Sequence, residues 1–144
     1  MKLIKKEVVY LPIENNEFEH IVRYMPWFTN RVCINVMYGD IRVLHSHPWN
    51  YFTLMLWGGY DETVIIEDTR VVKRRYPGWF SFKKYSDYHR IEPIGKRAIS
   101  LFIRGRERIK YTKFLVDGKE IRDIKYWKSI GCTREQIDNS IVIQ

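Results

Sequence analysis

The chain has 144 residues and carries 25 Lys and Arg against 17 Asp and Glu, a net charge of +8. At 45% hydrophobic and 15% aromatic it is globular rather than disordered, and its length suits one domain, 1–144, with a substantial core. No apolar run approaches the length of a membrane span, and its two cysteines, Cys33 and Cys132, fit neither a disulfide framework nor a zinc-ligand spacing, so free thiols in a reducing compartment are expected.

The N-terminal stretch "MKLIKKEVVYLPIENN" has lysines but neither a long apolar segment nor a small-residue cleavage site. No signal peptide is expected, and the expected location is cytoplasmic. From Asn16 onwards Phe18, Ile21, Val22 and Met25 recur at helical spacing, with Pro26 just beyond, which predicts a short N-terminal helix. After it the period falls to two. "VCINVMY" alternates Val32, Ile34, Val36 and Tyr38 against Cys33, Asn35 and Met37. Further strands are predicted at "NYFTLMLW", "ETVIIE", "TRVVKRR", "WFSF", "RAISLFI", "KYTKFLV" and "KEIRDIKYW". The breaks between them carry turn chemistry at Gly39-Asp40, Gly58-Gly59, Glu67-Asp68, Pro77-Gly78, Gly95-Lys96 and Asp117-Gly118. "TREQ" at Thr133 to Gln136 has the form of a capping box and predicts a short C-terminal helix. The whole reads as an all-β antiparallel sandwich or barrel with short helices at its ends.

The basic residues are dispersed, densest in "VVKRRY" and "RGRERIK". Dispersal of this kind reads as a solvated surface rather than a nucleic-acid interface, although an anionic partner fits the sign of the charge.

The four histidines are distributed unevenly: "LHSHPWNYFTLMLWGGY" holds His45 and His47 one residue apart. In extended chain, residues i and i+2 share a face, so both imidazoles can take neighbouring positions on one metal ion. His20 falls in the predicted helix and stands outside this pattern. Gly39, five residues, His45, one residue, His47 and then Gly58 or Gly59 is the skeleton of a known motif.

In these residues the sequence resembles the cupin superfamily, whose first motif reads G-x5-H-x-H-x3-4-E-x6-G. The second would be "YPGWFSFKKYSDYHRIEP", with Pro77, Gly78 and His89, at a longer Gly-to-His spacing than usual. The resemblance covers about residues 32–103 and is closest to small, largely uncharacterised cupins with an H-x-H-P-W first motif. It implies a jelly-roll fold, the double-stranded β-helix, and His45, His47 and His89 as ligands of one divalent metal. One departure matters: the motif glutamate is absent, with Tyr51 and Phe52 in its place. Three histidines alone resemble the three-histidine cupins, such as the thiol dioxygenases, and imply Fe(II), with Zn, Mn or Ni as alternatives. Glu62, after the Gly58-Gly59 turn, is a candidate replacement ligand or catalytic group, and Asn50 a candidate hydrogen-bonding partner of the site.

Around the motif, Trp49 and Tyr51 share the parity of the histidines and are expected to line a pocket, Tyr51 with a catalytic role. Trp57, Trp79, Phe80, Tyr85 and Tyr88 read as core or strand packing. Arg104, at the end of "RAISLFIR", is a candidate anchor for an anionic substrate, and Arg42 a weaker one by parity. Three functions compete. The first is a metal-dependent enzyme on a small molecule, with an Fe(II) dioxygenase-type oxidoreductase leading. The second is a metal-assisted isomerase, lyase or hydrolase on a sugar or small acid. The third is a ligand- or nucleic-acid-binding module without turnover. A homodimer is expected by analogy with other small cupins.

Overall fold

The computed structural model describes residues 3–12, 18–39, 43–122 and 141–143, and among these every regular element is a strand. In chain order they are β1 (Ile4–Pro12), β2 (Phe18–Pro26), β3 (Val32–Met37), β4 (Leu44–Ser46), β5 (Tyr51–Trp57), β6 (Tyr60–Ile66) and β7 (Thr69–Arg75). They continue with β8 (Phe80–Lys83), β9 (His89–Pro93), β10 (Ala98–Arg104), β11 (Lys113–Val116), β12 (Lys119–Arg122) and β13 (Ile141–Ile143). One sheet has the order β13-β1-β2-β3-β10-β5-β8 and the other β12-β11-β4-β9-β6-β7, with antiparallel pairing throughout. The neighbours in each sheet are mostly distant in sequence, the mark of a jelly roll rather than a meander.

The turns form where local chemistry favours them. Glu67 and Asp68 (φ 49° and 62°) and Asp117 and Gly118 (φ 51° and 76°) both take left-handed pairs, the two-residue hairpin geometry that matches strand twist. Gly58 has φ +76°, and a Cβ there would lie 2.6 Å from the Arg97 carbonyl oxygen, so a side chain is excluded twice over.

The expected N-terminal helix is a strand. Apolar residues at Phe18, Ile21, Val22 and Met25 fit a helical period, but the same segment also has alternating parity: Ile21 and Met25 are buried while Tyr24 is exposed. Tertiary context decides between the two readings. β2 pairs along its full length with β1, from Ile4↔Pro26 to Pro12↔Phe18, and on its other edge with β3. A helix would leave both neighbours with unpaired edges. The capping box at Thr133–Gln136 lies outside the described residues.

Inside, Ile21, Met37, Met55, Tyr60 and Ala98 form a buried apolar cluster, with Leu11, Trp79 and Ile91 packed against it. Beyond it the inward positions turn polar. Asn35, Thr53 and Ser100 on the first sheet face the interior, and His45, Glu62 and His89 do so on the second. An apolar floor under a polar chamber is what positions the site.

Candidate metal centre

Strand pairing brings two of the histidines together directly. His45 on β4 lies opposite His89 at the start of β9, and on its other side opposite Phe114 of β11. His47 follows β4 by one residue and turns back onto the pair. Its Nε2 is 3.1 Å from His89 Nε2, and the ring centroids of His45 lie 5.1 and 4.9 Å from those of His47 and His89. The three rings each present a nitrogen within 4.8 Å of the others.

Their outer nitrogens are fixed from behind. His45 Nδ1 lies 2.8 Å from the Val43 carbonyl oxygen and donates to it, and His89 Nδ1 lies 2.9 Å from Glu62 Oε2. In a neutral ring each such bond leaves the lone pair on Nε2, the tautomer a metal requires. Burial, then the neighbouring His45 and His89 and the charge of Arg23, hold His47 well below the usual imidazole range of about 6.5. Three imidazole nitrogens form a donor set suited to Fe(II), Zn, Mn or Ni and poorly suited to hard cations that want oxygen.

Glu62 stands behind this set. It is 0% exposed, and its carboxylate accepts from His89 Nδ1, from Arg75 Nη2 at 3.1 Å and from Lys83 Nζ at 3.3 Å. Burial alone pushes its carboxyl up, but the hydrogen bond and charge of His89, the Lys83 ammonium and the Arg75 guanidinium outweigh burial and hold it at about 2. Arg75 comes from β7, and Lys83 crosses from β8 of the opposite sheet, so the carboxylate ties both sheets to the ring of His89. In the described geometry the Glu62 carboxylate faces His89, Arg75 and Lys83.

A cavity of about 330 Å³ opens beside the histidines. His47, His89, Trp49, Tyr51, Phe102 and Arg104 form its wall, and Ile21, Met37 and Tyr60 its apolar floor. Trp49 stacks on His47, with centroids 5.0 Å apart and planes 6° from parallel. The Tyr51 hydroxyl is 3.2 Å from His89 Nε2. Arg104 lies over the Trp49 ring at 5.1 Å.

The other sequence candidates fall elsewhere. Asn50 does not reach the site: its Oδ1 accepts from the Tyr85 amide at 2.9 Å and braces a loop. His20 stacks on Tyr38 in the first sheet, away from the histidine cluster. Arg42 lies outside the described residues. Sequence reasoning missed Arg23, which lines the cavity from β2, and the two cations on Glu62. Arg23 carried a findable signal, since it shares the parity of buried Ile21 and Met25 once the segment is read as a strand. Arg75 and Lys83 gave none beyond membership of basic runs.

No protein-family profile matches this sequence, and no curated protein matches it. Solved structures do resemble it. The Fe(II) form of HppE, hydroxypropylphosphonic acid epoxidase, aligns with a TM-score of 0.51 at 11% identity, over 69% of this chain and 56% of that one. Fe(II) HppE in complex with substrate gives 0.51 at 10% identity, over 68% and 55%. Oxalate decarboxylase from Bacillus subtilis, studied for its Mn(II) centres, gives 0.50 at 14% identity, over 92% of this chain and 37% of that one. The chain thus spans little more than half the length of the first two and just over a third of the last.

Proposed function

We propose that this chain, which has the cupin fold, is a metal-dependent enzyme acting on a small molecule, with the chemistry of a three-histidine Fe(II) dioxygenase-type oxidoreductase. One observation carries the reading: three buried or half-buried imidazoles converge within 4.8 Å, and two of them, His47 and His89, line a cavity large enough for a small substrate. His45, His47 and His89 would hold the ion. Ferrous iron bound there would supply redox chemistry with dioxygen and coordination positions open to substrate.

The chain's own residues have definable tasks. Glu62 holds the His89 ring in the ligating tautomer through Nδ1. Trp49 and Phe102 exclude water from the chamber, and their rings pack edge-on at 5.5 Å. The Tyr51 hydroxyl, beside His89 Nε2, can donate a hydrogen bond to a substrate oxygen or hold its proton. Three neutral donors leave the ion's charge uncompensated by the protein's ligands, which favours a substrate bearing negative charge.

The same donor set also accepts Zn, Mn or Ni. With one of those ions the residues would serve a metal-assisted isomerase, lyase or hydrolase. Elemental analysis of untagged protein tests the assignment, paired with His89→Ala. Iron near one equivalent per chain, with oxygen uptake during turnover and both lost in the variant, supports the oxygenase. Zinc, manganese or nickel moves the assignment to the second chemistry. A His89→Ala protein with full metal content removes the three-histidine site altogether.

A further inference from the structure

We propose that Arg23 and Arg104 form an oxyanion subsite in the same cavity, which anchors the acid group of a small organic acid while its reacting part faces His47 and His89. The inference rests on the metal-enzyme reading above and deepens it by naming the substrate class.

The register places both arginines on the inner face of the first sheet. Arg23 lies opposite Asn35 and Asn35 opposite Ser100, and both partners are buried. Arg104 lies opposite buried Tyr51. Both side chains line the chamber that holds His47 and His89, and both line an adjoining recess of about 230 Å³ with Glu7 and Cys33. Two like charges thus share one partly desolvated volume.

Among the described residues neither guanidinium sits in an ion pair. Glu7 nonetheless lies opposite Arg23 across β1 and β2, lines the recess with both arginines, and its charge acts on Arg104. The Nε of Arg23 is buried and has no hydrogen-bond partner among the described residues. A buried charged donor without an acceptor is costly to keep, and an oxyanion is the acceptor its geometry suits. Arg104 rests on Trp49 instead of an acid. Burial, then the charge of Arg23, lower its pKa, and Cys33 and Glu7 oppose this only in part. The other acid on the cavity wall, Glu107, is exposed on the segment after β10, where water screens it.

Spacing limits the size of the ligand. Trp49 carries Arg104 over its ring and stacks on His47, so the anchor and the metal ligands are separated by about one indole. A short organic acid spans that distance. A polymer does not fit a chamber of about 330 Å³.

The test uses the full chain loaded with zinc, which permits binding without oxygen turnover. Calorimetric titration with succinate, inorganic phosphate and uncharged succinamide is repeated on Arg23→Gln, Arg104→Gln and Arg104→Lys, with zinc content measured in each. Succinate or phosphate should bind, and whichever binds identifies the acid group. Either glutamine variant should weaken binding tenfold or more at unchanged zinc content, Arg104→Lys should lose less, and succinamide should not bind. Equal affinity in the wild-type chain and both glutamine variants, or succinamide binding as well as succinate, overturns the subsite. A chain that takes up no zinc yet binds succinate through both arginines supports the subsite and refutes the metal reading.

Discussion

Glu62→Gln isolates the carboxylate that joins the two sheets to the metal site. Glutamine keeps the size and one carbonyl oxygen to accept from His89 Nδ1, but removes the charge that faces Arg75 and Lys83, whose side chains are 16% and 13% exposed. A carboxyl held at about 2 rather than the ordinary 4.5 contributes about 3 kcal/mol at neutral pH, at about 1.4 kcal/mol per pH unit. Breaking a buried ion pair by removing one partner costs about 3–5 kcal/mol, in the same range. Because the folded value is depressed, this stability is fully present above 4.5 and is lost as the pH falls through the window from 4.5 to about 2. Denaturant unfolding of both proteins should therefore show a gap of about 3 kcal/mol near neutral pH that closes towards pH 2. Replacing the whole cluster with Glu62→Leu, Arg75→Met and Lys83→Met should restore much of the loss, since no charge is then left buried alone. Metal affinity of Glu62→Gln should fall about 10–100-fold as His89 loses its carboxylate partner. A stability gap that is absent at neutral pH, or that persists undiminished in acid, would refute this account of Glu62.

Other outcomes follow from the same geometry. The His47 ring should stay neutral as the pH falls through about 6.5, because burial and its charged neighbours hold it well below that value; an NMR titration of the His47 imidazole centred at 6.5 would contradict the buried cluster. Burial pushes the Cys33 thiol up, with Arg23 and Arg104 only partly opposing it, so iodoacetamide should label Cys33 slowly near neutral pH in folded protein and rapidly once it unfolds. Binding to DNA or RNA should be weak, sequence-independent and steeply lost with added salt; tight binding at physiological salt would overturn the dispersed-surface reading of the +8 charge.

Much of the fold was legible because strands and turns leave local marks. The alternation from Val32 to Tyr38 appears as β3 with the burial of Cys33, Asn35 and Met37, and the pairs Glu67-Asp68 and Asp117-Gly118 became hairpin turns. β1 and β2 escaped for different reasons. β1 mixes lysines and glutamate with its valines, since it is half-exposed along much of its length. In β2 the spacing of four apolar residues fits two periods at once, and only pairing with β1 and β3 separates them. A local pattern cannot contain that information, because half of it resides in the neighbouring strands.

The site divides in the same way. His45 and His47 were legible from their spacing, and His89 entered through the resemblance to a second motif. The groups that set the behaviour of these rings come from far along the chain and carry no pattern of their own. Lys83 reaches Glu62 only because β8 pairs with β5, which puts Lys83 opposite Tyr51 on the inner face. Arg75 reaches the same carboxylate from β7, inside a basic run that reads as surface. Arg23 was hidden by the mistaken helix. Each is a cation in a basic chain, so composition gives no means of separating them from solvated lysines and arginines. Strand parity does so once the strands are assigned: Arg23 stands between Ile21 and Met25, and Arg104 two residues after Phe102, each on an inward row. The net charge therefore divides into a dispersed exposed part and a small inward part. Among the described residues, Arg75 and Lys83 pair with Glu62 behind the histidine cluster, while Arg23 and Arg104 line the cavity in front of it with no ion pair to an acid.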